Sequence, residues 1–432
     1  MIWVYRILFF PIFLILFPRF YWRTRGRAGK KIFRERLGLV KIKPPLNGCK
    51  RLWIHAVSIG EMQSIQPLIR RLFLNPRLDL VISTVSTTGY QVGNELYKKM
   101  AQVIYFPLDF CFCSSCAWKR INPDLTLLCD SELWPEHLHQ AKKRGIAVWL
   151  VNGRISDRSF SKYGRFLKIA RWLWGHISLI FPSSVEARKR IGKFLSDPSC
   201  LSHGGNLKCE RSSVKPLEGI NRKIWLDELG FCEEKDGELK IILGCSTWPG
   251  EEEMLIDAFE NLRKKNANWR LILVPRHGER RKEIALLLQK RKIPYSLRSD
   301  GAFRGNDSHV AVVDTVGELR EVIRLAAVVF LGKTLPPNGG GQSPLDGIAA
   351  GTPMVVGPNY SNFRDMITEL NVRHCILVGK DRKDIWEKLK QLCENEDMRL
   401  RMSLGMRTWL SEHADIGEKI YECVTTHLKI KK

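Results

Sequence analysis

The sequence predicts an α/β protein with two domains, each built on a parallel sheet covered by helices. Short apolar runs alternate with helical segments from about residue 50 onward, which is typical of parallel sheets. A chain of 432 residues is also too long for one ordinary core. The alternation stops between about residues 196 and 237, so we place the domain junction near residue 210.

Short apolar runs mark the strand candidates on both sides of this junction. Before it they cover residues 80–84, 103–106, 125–129, 146–151 and 177–181, and after it residues 240–244, 271–275, 310–314, 328–332 and 353–357. The stretch WIHAVSIGE (53–61) also begins with β-favouring residues, and from Met62 the apolar residues take helical spacing. Glu61 therefore lies at a strand-to-helix turn. It either complements the helix dipole or faces a cleft at the carboxyl end of a parallel strand.

Two further strand candidates are followed by charged side chains that could bind a ligand or take part in catalysis. After residues 125–129 come Asp130 and Glu132, two carboxylates suited either to acid–base chemistry or to capping a helix. After residues 271–275 comes Arg276, which is either a bidentate phosphate ligand or a surface arginine.

Two later loops resemble anion sites. Residues 314–318 (DTVGE) fit the start of a helix, which capping alone explains. The glycine triplet 339–341 precedes a helical segment and is either a hinge or a place where backbone N–H groups reach an anion. Together with Arg276, these loops favour a phosphate-bearing ligand. The absence of Walker and GxGxxG patterns argues against a P-loop NTPase or a dinucleotide oxidoreductase.

The charge and the N-terminal segment indicate a membrane surface. The chain carries 70 Lys and Arg against 45 Asp and Glu, a net charge of +25, which favours polyanionic partners. Residues 1–22 are almost wholly apolar, and the basic stretch 23–36 that follows is typical of the cytoplasmic side. We therefore predict an uncleaved membrane anchor at 1–22, a basic juxtamembrane segment at 23–50 and a cytoplasmic body. Whether the anchor spans the bilayer or lies in one leaflet stays open.

The cysteines do not indicate a disulfide framework or a metal centre. The twelve cysteines are scattered through a large chain, which fits reduced thiols in a cytosolic compartment. The cluster CFCSSC (111–116) lacks the paired spacing of zinc sites. We predict no metal.

Six motifs in order resemble one family. WIHAVSIGE, SELWP, GNLK, LVPRH, DTVGEL and GGGQSPLD resemble the motifs of the 3-deoxy-D-manno-octulosonic acid (Kdo) transferases. The resemblance implies a GT-B glycosyltransferase fold, with two Rossmann-like domains and a cleft between them. It implies inverting transfer of Kdo from CMP-Kdo to a lipid A precursor (tetraacyl lipid IVA), in lipopolysaccharide core synthesis at the cell inner membrane. It also implies that no cofactor or metal is required.

The resemblance assigns roles to individual residues. Glu61 would be the general base, Glu132 would lie near the reacting centre, and Lys208 would stabilise charge on the departing CMP phosphate. Residues 51–210 would form the acceptor domain and residues 211–432 the CMP-Kdo domain. The residues implied to hold the nucleotide are Pro275, Arg276, Val316, Gly317, Glu318, Ser343, Pro344, Leu345 and Asp346.

This chain also departs from the family pattern. Gln342, Ser343 and Asp346 stand where the family has His, Asn and Glu, and Trp248 replaces a His. These changes put the donor geometry in doubt but not the class of reaction. The alternative is a nucleotide-sugar epimerase of the same two-domain architecture, which would need neither the anchor nor the basic segment. A nucleic-acid-binding protein would interleave aromatic and basic residues on a recognised module, and no such pattern occurs.

Overall fold

The computed structural model describes residues 1–24, 27–213, 221–233, 238–301 and 308–430. Unit 1 comprises Met1–Arg211 and His413–Lys432, and unit 2 comprises Ser212–Glu412. Each unit contains one sheet whose described strand pairs are all parallel. The predicted α/β class with two Rossmann-like domains is confirmed.

The sheet of unit 1 reverses its strand order between two neighbouring strands. Its strands are β1 (Lys50–His55), β2 (Leu78–Thr84), β3 (Gln102–Tyr105), β4 (Leu125–Cys129), β5 (Ala147–Gly153) and β6 (Leu179–Pro182). They lie in the order β3-β2-β1-β4-β5-β6. The carboxyl ends of β1 and β4 therefore flank the point at which the order reverses, where open α/β sheets bind ligands.

The sheet of unit 2 is built on the same rule. Its strands are β7 (Lys240–Thr247), β8 (Trp269–Pro275), β9 (Tyr295–Leu297), β10 (Val310–Val312), β11 (Val328–Leu331), β12 (Met354–Val356) and β13 (Ile376–Val378). They lie in the order β13-β12-β11-β7-β8-β10-β9, so that the order reverses between β7 and β11. The sequence analysis missed β9 and β13, the two short strands at the edges of this sheet.

Helices connect the strands. They are α1 (Ile2–Thr24), α2 (Arg27–Arg36), α3 (Ile59–Ser64), α4 (Gln66–Phe73), α5 (Thr87–Tyr97), α6 (Cys111–Ile121), α7 (Pro135–Lys143), α8 (Asp157–Arg165), α9 (Leu167–Trp174), α10 (Val185–Gly192), α11 (Leu207–Ser213), α12 (Arg222–Glu228), α13 (Glu251–Lys265), α14 (Arg281–Lys290), α15 (Leu319–Val322), α16 (Leu345–Ala350), α17 (Arg364–Val372), α18 (Arg382–Glu394), α19 (Glu396–Ala414) and α20 (Ile416–His427). Short 3₁₀ turns cover Pro198–Cys200, Gly278–Arg280, Arg298–Asp300, Ile323–Leu325 and Ser361–Phe363.

Unit 1 has a core on each face of its sheet. Leu52 and Ile54 of β1 belong to one apolar cluster, and Trp53 between them belongs to the other. All three are buried, because successive side chains of a strand point to opposite faces and helices cover both. A strand of this kind is a rigid support for residues at its carboxyl end.

The end of the chain returns to unit 1, whereas the sequence-based boundaries placed all of 211–432 in the donor domain. Helix α20 inserts Ile416, Ile420 and Val424 into the core of unit 1. Its Tyr421 hydroxyl accepts a hydrogen bond from Asn75 Nδ2 at 3.1 Å. Helix α20 packs there because burial of its apolar side chains stabilises the fold, whatever their separation along the chain. Such long-range packing leaves no local sequence signal.

The N-terminal segment predicted to be an anchor forms the helix α1. One face of α1 packs on the rest of unit 1. The Tyr5 hydroxyl donates a hydrogen bond to Asp109 Oδ2 at 2.6 Å, and the rings of Phe13 and Phe110 stack with their centroids 4.4 Å apart. Arg6 forms a two-bond ion pair, at 2.8 and 2.9 Å, with the fully buried Glu136. Among the described residues, no helix combines the length and the apolar character that crossing a bilayer requires.

Candidate active site

Glu61 lies in the first turn of α3, directly after β1. Its Oε2 accepts the backbone N–H of Val57 and its Oε1 accepts the hydroxyl of Ser58, both at 2.8 Å. The Ser58 oxygen in turn accepts the N–H of Glu61 at 3.2 Å. This reciprocal arrangement is a form of capping box. Glu61 therefore caps its helix, which is one of the two roles that its position allowed.

Capping does not prevent Glu61 from acting as a base. Burial and then the charge of Asp130 raise the pKa of Glu61, and the hydrogen bonds from Val57 and Ser58 and the charge of Arg154 only partly oppose this. Glu61 is buried, with 8% of the residue exposed. A carboxylate that is held by two bonds and has a raised pKa is a suitable proton acceptor.

Glu132 lies after β4, the strand beside β1. Its Oε2 accepts a hydrogen bond from Trp134 Nε1 at 3.0 Å. Burial, followed by the charges of Glu61 and Asp130, raises the pKa of Glu132 from 4.5 to about 7. The two glutamates thus interact electrostatically although 70 positions separate them, because the strand order brings the ends of β1 and β4 together.

The pKa of Glu132 predicts a pH-dependent stability. The folded protein holds this proton up to about pH 7, whereas the unfolded chain loses it near pH 4.5. Ionisation of Glu132 therefore destabilises the fold progressively as the pH rises from about 5 to 7. We expect Glu132→Gln to be less destabilised over this range than the parent, in urea unfolding at each pH. Glu95→Gln, on the exposed side of α5, is the control and should follow the parent. Parallel curves for all three proteins would contradict the prediction.

Lys208 belongs to the same cluster in unit 1. Burial lowers the pKa of Lys208, while the charges of Asp130 and Glu61 raise it and that of Arg154 lowers it further. These couplings require the side chain to lie near both carboxylates. A partly buried ammonium group there can stabilise negative charge more strongly than one in water.

Asp130 also belongs to this cluster and contacts two residues that end or follow β5. It is buried, has a φ of 60°, forms an ion pair with Arg154 and accepts a hydrogen bond from Asn152 Nδ2. The Arg154 backbone N–H also donates to Asp130 O at 3.1 Å. We name Glu61, Asp130, Glu132, Arg154 and Lys208 the carboxylate cluster.

In unit 2, two of the predicted nucleotide-binding segments lie side by side. Pro275 ends β8, and the exposed Arg276 side chain makes no hydrogen bond or ion pair within the described parts of the chain. Gly278 packs so tightly on Asp314 that an added Cβ would lie 2.3 Å from its carbonyl oxygen. The loop after β8 therefore contacts the loop after β10, which carries the fully exposed Val316.

The acids of the predicted nucleotide site are paired with arginines. Glu318 accepts bonds from Arg298 at 2.9 to 3.2 Å. Burial raises the pKa of Glu318, but the bonds from Arg298 and Thr315 outweigh it, so that the net shift is downward. Asp346 forms a 3.0 Å ion pair with Arg320, which joins α15, the helix directly after Glu318, to the start of α16.

The glycine triplet precedes a helix as predicted, but the last amide of the triplet and the amide that follows it have partners within the loop region. Gly340 and Gly341 have φ values of 97° and 73°. The N–H of Gly341 donates to Lys333 O at 3.0 Å, and that of Gln342 donates to Gly332 O at 3.2 Å. Position 341 favours Gly, because its φ is in the left-handed region and an added Cβ would lie 3.2 Å from Tyr360 Cα. The triplet thus shapes the loop, and these two amides are not available to an anion.

After the triplet, the segment Ser343–Asp346 forms the start of α16. Pro344 is the residue before the first helical position, and the N–H of Leu345 donates to Ser343 Oγ at 3.4 Å. The predicted residues of this segment therefore lie together at one helix end.

The sequence analysis missed Glu251, at the start of α13. Its buried carboxylate accepts four backbone N–H bonds, from Trp248, Lys333, Thr334 and Leu335, at 2.9 to 3.1 Å. It thus ties the loop after β7 to the loop after β11, where the strand order reverses. The sequence shows an acidic run after Trp248, but it does not show which of these glutamates binds the backbone N–H groups.

The cysteine cluster of residues 111–116 lies in α6. In the parts of the chain that the structure describes, no three His, Cys, Asp or Glu side chains are grouped so that they could hold a metal ion. Metal-independent chemistry stays a prediction, as does the cleft between the two domains.

Two family models match separate segments of the chain. Residues 31–211 match the family model described as 3-Deoxy-D-manno-octulosonic-acid transferase (kdotransferase), and residues 252–409 match Glycosyl transferases group 1. The predicted resemblance to the Kdo transferases is confirmed over residues 31–211. Both matched domains are those of glycosyltransferases, so the chain is a glycosyltransferase enzyme.

Similar proteins cover nearly the whole chain. A 3-deoxy-D-manno-octulosonic acid transferase of Haemophilus influenzae is 28% identical over 388 residues, which cover 89% of this chain and 88% of that protein. The protein of the same description from Chlamydia trachomatis serovar A is 24% identical over 424 residues, covering 97% and 96% of the two chains.

Solved structures support the fold alone. A glycosyltransferase of Rickettsia africae has a TM-score of 0.57 at 13% identity, covering 89% of this chain and 100% of that chain. A UDP-GlcNAc 2-epimerase of Neisseria meningitidis has a TM-score of 0.59 at 13% identity, covering 87% and 100%. These neighbours share the two-domain glycosyltransferase architecture, and at this identity they carry no argument for an epimerase.

The structure brings all three predicted catalytic residues of this glycosyltransferase, Glu61, Glu132 and Lys208, into one cluster. Arg154 was not predicted. Its signal was available, because Arg154 follows β5 at the same edge of the sheet as the ends of β1 and β4. Their roles in the reaction stay predictions.

Proposed function

We propose that this enzyme transfers Kdo from CMP-Kdo to a lipid A precursor, tetraacyl lipid IVA, with inversion at the anomeric carbon. The observation that carries the proposal is the carboxylate cluster. Glu61, Glu132 and Lys208 come from three separate sequence motifs, and their charges interact within unit 1. The resemblance to the Kdo transferases over residues 31–211 supports the donor sugar.

The cluster contains the groups that an inverting displacement needs. In this proposal Glu61 removes the proton of the acceptor hydroxyl as its oxygen attacks the anomeric carbon of Kdo. The bond from that carbon to the CMP phosphate oxygen breaks, and CMP leaves with the bonding electrons. Lys208 offsets the negative charge that develops on the phosphate. Asp130 holds Arg154, and its negative charge adds to the effect of burial in raising the pKa of Glu61.

Unit 2 would hold the donor. Arg276 has no internal partner among the described residues, so that its guanidinium is available to the phosphate of CMP. Val316, Gly317 and Glu318 would bind the nucleotide on one side, and the Ser343–Asp346 segment would bind it on the other. The ion pair between Arg320 and Asp346 supports this arrangement, because it holds these two segments together.

The direct test is incubation of the purified protein with CMP-Kdo and tetraacyl lipid IVA, followed by mass measurement of the lipid. We expect discrete increments of one Kdo, and their number counts the additions. Unchanged lipid mass, with turnover of a UDP-sugar instead, would refute the proposal.

We further propose that α1 attaches the enzyme to the cytoplasmic face of the inner membrane by lying in one leaflet. The support is the face of α1 turned away from unit 1, where Ile7, Leu14 and Ile15 are exposed. A helix whose outer face is apolar can bury that face at the headgroup boundary.

The outer face of α1 gives a specific prediction. The triple variant Ile7→Ser/Leu14→Ser/Ile15→Ser should bind lipid vesicles at least about 10-fold more weakly, because each buried apolar side chain contributes roughly 1.5–3 kcal/mol. Donor affinity should not change. Leu400→Ser/Leu404→Ser, at exposed apolar positions of α19, is the matched control. Unaltered vesicle sedimentation of the α1 variant would rule out this attachment.

A further inference from the structure

The junction of α8 and α9 in unit 1 carries an exposed apolar cluster. Phe166, Leu167 and Ile169 are 57%, 36% and 53% exposed. They lie where α8 ends and α9 begins, and α8 buries none of its own residues. Single exposed apolar side chains are ordinary, but three within four positions form a patch.

Unpaired cations surround these apolar side chains. They are Arg158, Lys162, Arg165, Lys168 and Arg171, and all five are exposed. None makes a side-chain hydrogen bond or an ion pair with any residue in the described ranges. We name these five cations and the three apolar residues the corner patch.

No carboxylate neutralises the corner patch locally. The sequence contains no acid between Asp157 and Glu186. These two flanking acids are both engaged by Arg190, at 2.6 and 3.0 Å. The five cations of the patch therefore have no ion-pair partner among the described residues.

The corner patch lies on a helix that also borders the carboxylate cluster. Helix α8 begins three residues after Arg154, whose side chain is paired with Asp130. Tyr163, on the other face of α8, is half-buried and lies near Glu132. Burial, followed by the charge of Glu132, raises the pKa of Tyr163. One helix thus connects the exposed patch to the predicted reacting groups.

We propose that the corner patch docks on an anionic lipid bilayer and holds the acceptor site against it, independently of α1. This inference rests on the proposed function. The apolar side chains enter the headgroup boundary while the cations contact lipid phosphates. A single-stranded nucleic acid would require stacking rings, and Phe166 is the one exposed Phe, Tyr or Trp within residues 157–176, all of which are described.

The test uses the full chain and vesicles of neutral lipid with or without phosphatidylglycerol. We expect Lys162→Ala/Arg165→Ala/Lys168→Ala to bind the anionic vesicles about 100-fold more weakly, because each cation near such a surface contributes about 1 kcal/mol. Its binding to neutral vesicles, through α1, should match that of the parent.

A matched control removes the same charge elsewhere on unit 1. Lys98, Lys99 and Lys119 are exposed at the ends of α5 and α6, which lead into β3 and β4. They lie at the amino edge of the sheet, opposite the ends of β1 and β4. The triple alanine variant of these lysines should bind anionic vesicles within about 3-fold of the parent, since the Coulomb effect of distant exposed charges is screened.

Equal vesicle binding by the patch variant and the parent would overturn the inference, as would an equal loss in the control. Displacement of the parent from vesicles by single-stranded DNA, with the patch variant losing DNA binding instead, would also overturn it. Failure of the proposed function would be seen in a different measurement. In that case the parent would leave the mass of the lipid acceptor unchanged, whatever the vesicle binding of the patch variant.

Discussion

Glu61→Gln is expected to lower the rate of Kdo transfer by about 10²–10⁴-fold, the usual contribution of a general base. The amide cannot accept the hydroxyl proton, but it retains an oxygen for the N–H of Val57 and an NH₂ group for the oxygen of Ser58. The cap is therefore preserved in outline, and CMP-Kdo binding should survive. Steady-state rates and calorimetric donor affinity measure the two effects separately.

A second variant separates catalysis from capping. Ser58→Ala removes the hydroxyl that caps α3 but leaves the Glu61 carboxylate in place, with its bond from Val57. It should cost about 1 kcal/mol of stability and only a few-fold in rate. Equal losses of rate in Ser58→Ala and Glu61→Gln would make Glu61 a structural cap. Loss of donor binding in Glu61→Gln would instead make it a donor-holding residue.

Lys208→Met should lower kcat by about 10²–10³-fold, as the removal of one transition-state donor does. The interaction with the departing phosphate is strongest in the transition state, so that KM for CMP-Kdo should change little. The loss has a second consequence. Lys208 lies near Glu61 and Asp130, so that removing its charge shifts the pKa of Glu61 further upward, and the acidic limb of the kcat profile should move to higher pH.

Lys208→Arg is the matched control, because it retains the positive charge in a slightly larger side chain. It should preserve the acidic limb of the pH profile even where the rate falls. A Lys208→Met enzyme with unchanged kcat, or one that loses only donor affinity, would remove Lys208 from the proposed mechanism.

The carboxylate cluster shows how sequence and structure contributed differently. The sequence predicted that Glu61 follows one strand and Glu132 another, because the strands are apolar runs with helical spacing after them. It could not order these strands within the sheet. The arrangement β3-β2-β1-β4-β5-β6 places β1 beside β4. The pKa of Glu132 is raised first by burial, and that adjacency adds the effect of the Glu61 charge.

The residues that sequence reasoning missed are defined by their partners. Arg154 follows a predicted strand, but its ion pair with Asp130 is what distinguishes it from the many other basic residues. Glu251 is one of three consecutive glutamates, and only the fold shows that it collects four backbone N–H groups from two loops. The glycine triplet was predicted to be either a hinge or an anion site, and the bonds of the Gly341 and Gln342 amides to the protein's own carbonyl groups favour a structural role.

The sequence alone determined the α/β class, the two sheets and the family motifs. These depend on local periodicity and on residue types at short spacing, which are properties of neighbouring positions. Only the tertiary structure decided which strands adjoin, that α20 completes unit 1, and which acids share a charge environment. Those features arise from apolar burial and Coulomb interactions between residues far apart in the chain, and such interactions leave no pattern in any short stretch of sequence.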